Sequence, residues 1–298
     1  MKNKIIRNML LTIITNNLGK VEETEDKIIC HVKKYKCKQN SYQFTIACHG
    51  QRKEYQELVE KYNLNKPIVY IIDNFEIKNK KVFIFGYNNP EIIIKNCAFL
   101  FELSGHINGN CTLEHTFVRT FSTFMFGANK LTLKNMSITN PFSTSNSLHI
   151  ALGGEEKLEI INSTIGKEKQ STHVNLTAKD EIIINSSNIG GNTVEINTQS
   201  IKGDKDSKIK ASESMKINAN EYSDLNIITN NANINGIEFD TKNQIITLKM
   251  MKDNEELQKA KLIDILRRIR ENCEQGKKEL LEEYSNQLEK QKIYKLIK

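Results

Sequence analysis

The chain has 298 residues, 38% apolar, with no Trp and only 3 prolines. That length can bury a sizeable core in one to three domains, and the scarcity of Pro suits many hydrogen-bonded strands. The net charge of +7 is unevenly spread: Lys and Arg outnumber Asp and Glu by 12 to 7 in residues 1–65 and 12 to 10 in residues 251–298, but balance at 19 to 19 in residues 66–250. The neutral middle argues against a nucleic-acid track there.

Residues 1–17 carry Lys2, Lys4 and Arg7 before a short apolar run, a weak signal-peptide pattern with no small-residue cleavage site after it. Ile6, Met9, Leu10, Ile13 and Ile14 fall at helical spacing, so residues 4–18 are expected to be an amphipathic helix. Residues 27–32 and 43–48 read as strands around a polar turn at 38–41, a plausible hairpin. Residues 51–62 read as a helix with Tyr55, Leu58, Val59 and Tyr62 on one face, ended by Asn63 and Pro67. Residues 1–65 are therefore expected to form a small α/β module or cap.

Strand signals take over at Ile68. From about residue 92 to 239 the chain keeps restarting one template: apolar, any, apolar, any, Asn, any, any, apolar. Ile92, Ile94, Asn96 and Phe99 fit it, as do Leu131, Leu133, Asn135, Ile138 and Leu158, Ile160, Asn162, Ile165. His115 replaces Asn after Cys111 and Leu113, and Ser186 replaces it after Ile182 and Ile184. The template fits a coil of stacked strands. Alternate apolar residues point inward together, and Asn tolerates the left-handed backbone of a sharp corner. Equivalent Asn residues of successive coils would lie about one strand spacing apart and hydrogen-bond along the axis. Leu148, Ile150, Leu152 and Val174, Leu176 read as rungs of another wall, which puts His149 beside His173 on the outside. Residues 66–250 are thus assigned to a β-solenoid.

From residue 252 the pattern turns helical. Leu262, Leu266, Ile269, Cys273, Leu280, Tyr284 and Leu288 form an apolar stripe among Lys, Arg and Glu, with Gly276 a possible break. Residues 251–298 are expected to be an amphipathic helical segment that caps the solenoid or pairs with another chain.

On these residues the middle of the chain resembles the right-handed parallel β-helix class, which includes pectin-lyase-like enzymes, viral tailspikes and the bactofilin filament proteins. The motifs are generic to that architecture and select no family within it. The fold class expected is mainly β: a parallel β-helix with the flanking segments described above.

Enzymes of that architecture usually act through clustered carboxylates. Here Asp is missing between Ile92 and Asn175, and Arg119 stands alone between Arg52 and Arg267. Glu102, Glu114, Glu155, Glu156 and Glu159 are available for a glycosidase pair, but scattered outward Glu residues are ordinarily just solvated. His149 with His173 reads as a surface ladder before a metal site, and His115 beside Arg119 as a corner. Cys30, His31, Cys37, Cys48 and His49 match no zinc-knuckle spacing, and alternation turns Cys30 and His31 to opposite faces. Phe99, Phe101, Phe117, Phe121, Phe124 and Phe126 read as a stacked aromatic core before a binding groove. Lys33, Lys34, Lys36 and Lys38 with Tyr35 and Tyr42 read as a solvated hairpin tip before a nucleic-acid contact. The Asn110, Asn135 and Asn162 sequons read as corner residues.

No catalytic, cofactor or metal residue is assigned. The six cysteines form no C-x-x-C pair, which suits a reducing compartment, and no stretch is long enough to span a membrane. The leading expectation is a non-enzymatic structural or interaction protein of the cytoplasm, its partner a protein or a second copy engaged through the solenoid ends or the C-terminal helix. A carbohydrate-binding or carbohydrate-cleaving β-helix is the first alternative. A nucleic-acid adaptor using the basic N-terminal module is the second.

Overall fold

A computed structural model gives the structure of residues 18–32, 43–48, 66–87, 89–120, 123–139, 148–167, 172–240 and 245–248, with Ile263 and Leu266 helical beyond them. The described strands form one 23-stranded sheet, wound into a parallel β-solenoid of about 7 turns. Each coil has three walls.

The wall that carries the repeated sequence, here the template wall, stacks β2 (Ile28–Val32), β4 (Ile68–Asp73), β7 (Glu91–Lys95), the second half of β9 (Glu102–Glu114), of β11 (Thr123–Lys134) and of β13 (Leu148–Ile161), then β16 (Glu181–Asn185), β18 (Ser200–Lys202) and β20 (Glu221–Ser223). A narrow wall stacks β5 (Glu76–Ile77), β8 (Ala98–Phe99), β10 (Phe117–Arg119), β12 (Ser137–Thr139), β14 (Thr164–Gly166) and the first parts of β17 (Asn188–Asn197), β19 (Lys208–Asn218) and β21 (Leu225–Ile234). A broad wall stacks β3 (Gln43–Cys48), β6 (Lys81–Gly86), the first halves of β9, β11 and β13, then β15 (Thr172–Ala178) and the ends of β17, β19 and β21.

The expected repeat starts are register partners. Ile92 pairs with Cys111, Cys111 with Leu131, Leu131 with Leu158 and Leu158 with Ile182. The stack continues through Ile201 to Tyr222, and backwards through Tyr70 to Cys30. All of these side chains are buried. Among the expected repeat starts, the two longest steps, from Leu131 to Leu158 and on to Ile182, take their extra length where the chain passes from narrow to broad wall, after β12 and β14. Insertions at a corner leave the rung register intact.

The corner after the template wall is where the sequence pattern has its physical cause. Asn74, Asn96, His115, Asn135, Asn162, Ser186 and Asp224 all have φ between 46° and 57°, the left-handed region. Asn tolerates that region because its short polar side chain bonds locally. Each corner N–H reaches the next rung: Asn96 donates to the Glu114 carbonyl (3.1 Å), His115 to Lys134 (3.0 Å), Asn135 to Ile161 (3.0 Å) and Asn162 to Asn185 (2.9 Å). Outside, Asn162 Nδ2 donates to Asn135 Oδ1 at 2.5 Å and Asn96 Nδ2 to Asp73 Oδ1 at 3.0 Å.

Inside the same corner runs a second, buried ladder. The N–H of Met136 donates to Ser163 Oγ (3.0 Å), that of Ser163 to Ser187 Oγ (3.0 Å) and that of Ser187 to Ser207 Oγ (3.3 Å). Ser163 and Ser187 hydroxyls in turn donate to the carbonyls of Ile161 and Asn185, both at 2.7 Å. These N–H groups have turned away from the strand ladder, so without the serines they would be buried unpaired, at a cost of about 1–3 kcal/mol each.

The expected hairpin between residues 27–32 and 43–48 is not formed. The two segments lie on different walls: β2 pairs with β4 and β3 with β6, both in parallel. Their hydrophobic alternation serves rungs of the solenoid equally well, and strand pattern alone does not choose a partner. Both ends of the described sheet reverse direction. β1 (Leu18–Glu23) lies antiparallel on β2, and β22 (Ile237–Asp240) and β23 (Ile245–Leu248) lie antiparallel on β21. The β21–β22 turn is Asn235–Gly236, with φ of 49° and 79°, the type I′ pair that matches strand twist. The helices expected at 4–18, apart from Leu18 in β1, and at 51–62 lie outside the described residues. So does the C-terminal helical segment, apart from Ile263 and Leu266.

Replacing Asn162 by Ala is expected to cost about 1–2 kcal/mol, through left-handed strain and the lost bond to Asn135. Asn162→Gly should cost less, because glycine adopts positive φ freely. Urea denaturation of both variants checks this; equal losses would mean that the backbone conformation is not what Asn162 supplies.

Candidate functional site

The broad wall combines several strands with an outer surface unlike the rest. In β6, Val82 and Ile84 point into the core, so Phe83 and Phe85 point out. With Tyr87 they form a row of parallel rings: centroids lie 6.3 Å apart at 2° for Phe83 and Phe85, and 6.4 Å apart at 10° for Phe85 and Tyr87. Two outward columns run from them across the next strands. One is Phe83, Ser104, Met125, Ala151 and Asn175; the other is Phe85, His106, Gly127, Gly153 and Thr177. No Lys, Arg, Asp or Glu occurs at these ten positions.

Gly127 and Gly153 are register partners and leave two rungs bare. The result is a shallow open cavity of about 340 Å³ between His106 and Thr177, with Met125, Ala151 and Asn175 on its side. Among the described residues of the walls, Met125 at 52% and Phe117 at 38% are the large apolar side chains left exposed. A Cβ added to Gly127 would meet nothing closer than 3.8 Å, so this position can carry a side chain without moving the backbone. Gly105 is different. Its added Cβ would fall 2.3 Å from the Phe126 ring, which fills that inner space.

Charge is concentrated on the template wall, where it is paired. Lys95 bridges to Asp73 (3.7 Å) and Lys134 to Glu114 (3.2 Å). Lys157 contacts both Glu159 (2.8 Å) and Glu181 (3.2 Å), and Lys202 also reaches Glu181. The Lys202 contact, helped by Lys157 and opposed by partial burial, holds the Glu181 carboxyl below the usual range. Glu159 first, then Glu181, holds Lys157 above the usual lysine range. At the corner, burial raises the Asp204 carboxyl, but bonds from Ser207 and Ser186 outweigh it and leave the group lowered.

The five Glu residues considered for catalysis do not converge. Glu102 pairs with Lys81 (2.9 Å) at the edge of the broad wall. Glu114 and Glu159 lie two rungs apart on the template wall, Glu156 pairs with Lys130 (3.2 Å), and Glu155 is exposed between walls. His115 occupies the corner, with Asn135 Nδ2 at 3.2 Å from its Nε2, while Arg119 ends β10 on the narrow wall. His149 and His173 are register partners facing outward, with rings 5.0 Å apart and 16° from parallel.

Cys30 is buried, its thiol pushed up to about 12 by that burial, and His31 faces the other way, 3.8 Å from Glu22. Cys37 and His49 lie outside the described residues, as do Lys33, Lys34, Lys36, Lys38, Tyr35, Tyr42 and Phe121. Phe99, Phe124 and Phe126 are core, Phe101 is half-buried and Phe117 projects from the narrow wall. Asn135 and Asn162 are corners, whereas Asn110 is a rung residue of β9 opposite Glu91 and Lys130.

The aromatic row of β6 was not apparent from sequence. Lys81 to Gly86 is apolar on both faces, so alternation does not say which side is inside. The recurrence of Gly at one slot of successive coils, Gly127 then Gly153, is the signal that marks the notch. No family model matches the chain, and neither does any curated protein or solved structure.

The paired carboxylates set the acid limb of stability. A lowered carboxyl contributes stability that is complete above its unfolded value and lost as pH falls through its folded value. The raised Lys157 contributes below the ordinary lysine range, and that part is lost only as pH climbs past its raised value. Urea midpoints measured from pH 7 to pH 3 are therefore expected to fall, with a shallower fall in Glu181→Gln and Asp204→Asn. Each variant should lose about 1 kcal/mol or less at pH 7. Acid limbs identical to that of the parent would show that neither carboxylate is stabilised by folding.

Proposed function

We propose that the chain is a non-enzymatic interaction protein whose solenoid holds the broad wall rigidly toward a partner protein. The observation that carries this reading is the charge-free field from Phe83 to Thr177, beside a template wall where Lys134 meets Glu114 and Lys157 meets Glu181 across rungs. Cores of protein interfaces are depleted in Lys, Glu and Asp and enriched in Phe, Tyr and Met. The Phe83, Phe85 and Tyr87 row, Met125 and the glycine notch have that composition. The notch offers a recess for one side chain of a partner, which is how interface anchors are seated.

Rigidity supports the same reading. Every broad-wall strand from β6 to β15 is bonded on both edges, so the face needs no ordering on binding. The buried thiol of Cys30 supports a reducing compartment, and a cytoplasmic location is part of this proposal. No described helix is long and apolar enough to cross a membrane.

A neutral carbohydrate is the second reading, favoured by one feature. The three parallel rings have Ser104 on the adjacent strand, and Asn175 and Thr177 close the far end of the same field, so one face carries both stacking surfaces and uncharged hydrogen-bonding groups. Binding is what this feature favours; cleavage would need two free carboxylates across one bond.

The test uses Met125→Glu and Gly127→Arg on the broad wall and Lys134→Gln on the template wall. A partner identified by crosslinking and then purified should bind the parent and Lys134→Gln equally, and the two broad-wall variants at least tenfold more weakly. A partner that tolerates both broad-wall changes, or that is lost with Lys134→Gln, would overturn the assignment of the face. A glycan array in which binding disappears with Phe85→Ala would replace the protein partner by a carbohydrate. Sustained turnover of a polysaccharide would sink the non-enzymatic reading.

A further inference from the structure

We propose that His149 and His173 form a two-point site for a divalent transition cation of the zinc, copper or nickel type. The site adjoins the charge-free field, one outward slot before Ala151 and Asn175, and does not rest on the function proposed above. The two residues occupy the same outward slot of adjacent parallel strands, so the sheet fixes their backbones about 4.8 Å apart. Their rings stand side by side, with centroids 5.0 Å apart and planes within 16°.

The next rung supplies an orienting group. His173 Nδ1 is hydrogen-bonded to Thr193 Oγ1, its register partner. With Nδ1–H donating to that hydroxyl, Nε2 keeps its lone pair outward, the arrangement in which a metal-bound imidazole is held by its other nitrogen. The column around the pair is uncharged: Thr123, His149, His173, Thr193 and Ser214 follow one another in register. No fixed positive charge stands in that column to repel a cation.

The distances suit the chemistry. A zinc–nitrogen bond of about 2.0–2.1 Å lets one ion span nitrogens roughly 3.3 Å apart in tetrahedral geometry. Two rings 5.0 Å apart at their centroids reach that separation by tilting their tips together, without a change in the strands. Imidazole is a good ligand for zinc, copper and nickel and a poor match for magnesium or calcium. Among the described residues no cluster of three His, Cys, Asp or Glu side chains exists, so water fills the remaining positions and the site is open.

The experiment is a Zn²⁺ titration of the full chain carrying ¹³C at histidine Cε1, followed by nuclear magnetic resonance. The chain has 6 histidines, which His→Ala variants assign. His149 and His173 signals are expected to move together and saturate at one equivalent, ahead of the other four. His149→Ala or His173→Ala should weaken binding at least tenfold. Thr193→Val should weaken it severalfold, and Thr193→Ser should restore it. The substituted side chains face outward, and far-ultraviolet spectra confirm that each variant is folded. Shifts spread over all histidines, saturation unchanged in His149→Ala, or silence of both signals at millimolar Zn²⁺ each overturn the site.

Discussion

From β4 to β16 each coil of this solenoid turns out of the template wall at the same point, four residues after its repeat start, and that turn is the constraint on which the remaining structure depends. In those coils the turn uses one residue with positive φ, and the chain supplies it with Asn, His or Ser at six stacked positions from Asn74 to Ser186. An L-residue in that conformation is strained, so the corner holds only if its surroundings over-determine it. They do so from two sides. The outer amides bond along the axis, and the inner serines receive the N–H groups that the turn diverts from the strand ladder. Corner conformation, corner hydrogen bonds and rung register therefore support one another. A shift of one residue on a template-wall strand would break all three and would turn its aliphatic side chains outward.

Stacking in register also governs the outer surface. Residues at equivalent slots of adjacent coils sit one strand spacing apart, so like charges there repel strongly and opposite charges attract. On the template wall the sequence answers with alternation: Asp73, Lys95, Glu114 and Lys134 follow one another in a single column. Lys157, Glu159, Glu181 and Lys202 form a later cluster of opposite charges spread over two neighbouring columns. On the broad wall, inside the Lys81–Glu102 pair at its edge, the answer in the two columns that run from Phe83 and Phe85 is to omit charge. The solenoid thus sorts one neutral composition into a wall of matched ions and a wall of aromatic, small and hydroxyl or amide groups. That sorting is what gives the broad wall its capacity to meet a partner. It also brings two histidines 24 residues apart into ring-to-ring contact distance.

Much of this was legible residue by residue. The template placed Asn96, Asn135 and Asn162 on one line, and it put His115 and Ser186 correctly in the Asn slot. The pairing of Ile150 with Val174, and hence of His149 with His173, followed from the same spacing. Other features were hidden for identifiable reasons. The inner serines fall at a slot also filled by Cys97, Thr116 and Met136, so no single residue type marked it. The strand pattern expected at residues 27–32 and 43–48 was read correctly to within one residue but given the wrong partners, because hairpin and rung demand the same alternation. The antiparallel return at Asn235 and Gly236 lay within a segment whose apolar spacing still looked like another coil.

What the amino-acid sequence determined alone is the local currency of the fold: which residues alternate, where a left-handed corner is tolerable and how far apart the coils begin. These are properties of a few neighbouring residues, and the periods of strand and corner express them directly. Only the tertiary structure decided which side of β6 faces water, which lysine meets which glutamate, and that Gly127 lies on Gly153 to open a notch. Those outcomes depend on contacts between residues about twenty or more positions apart, and such contacts exist only after the walls have closed around a common core.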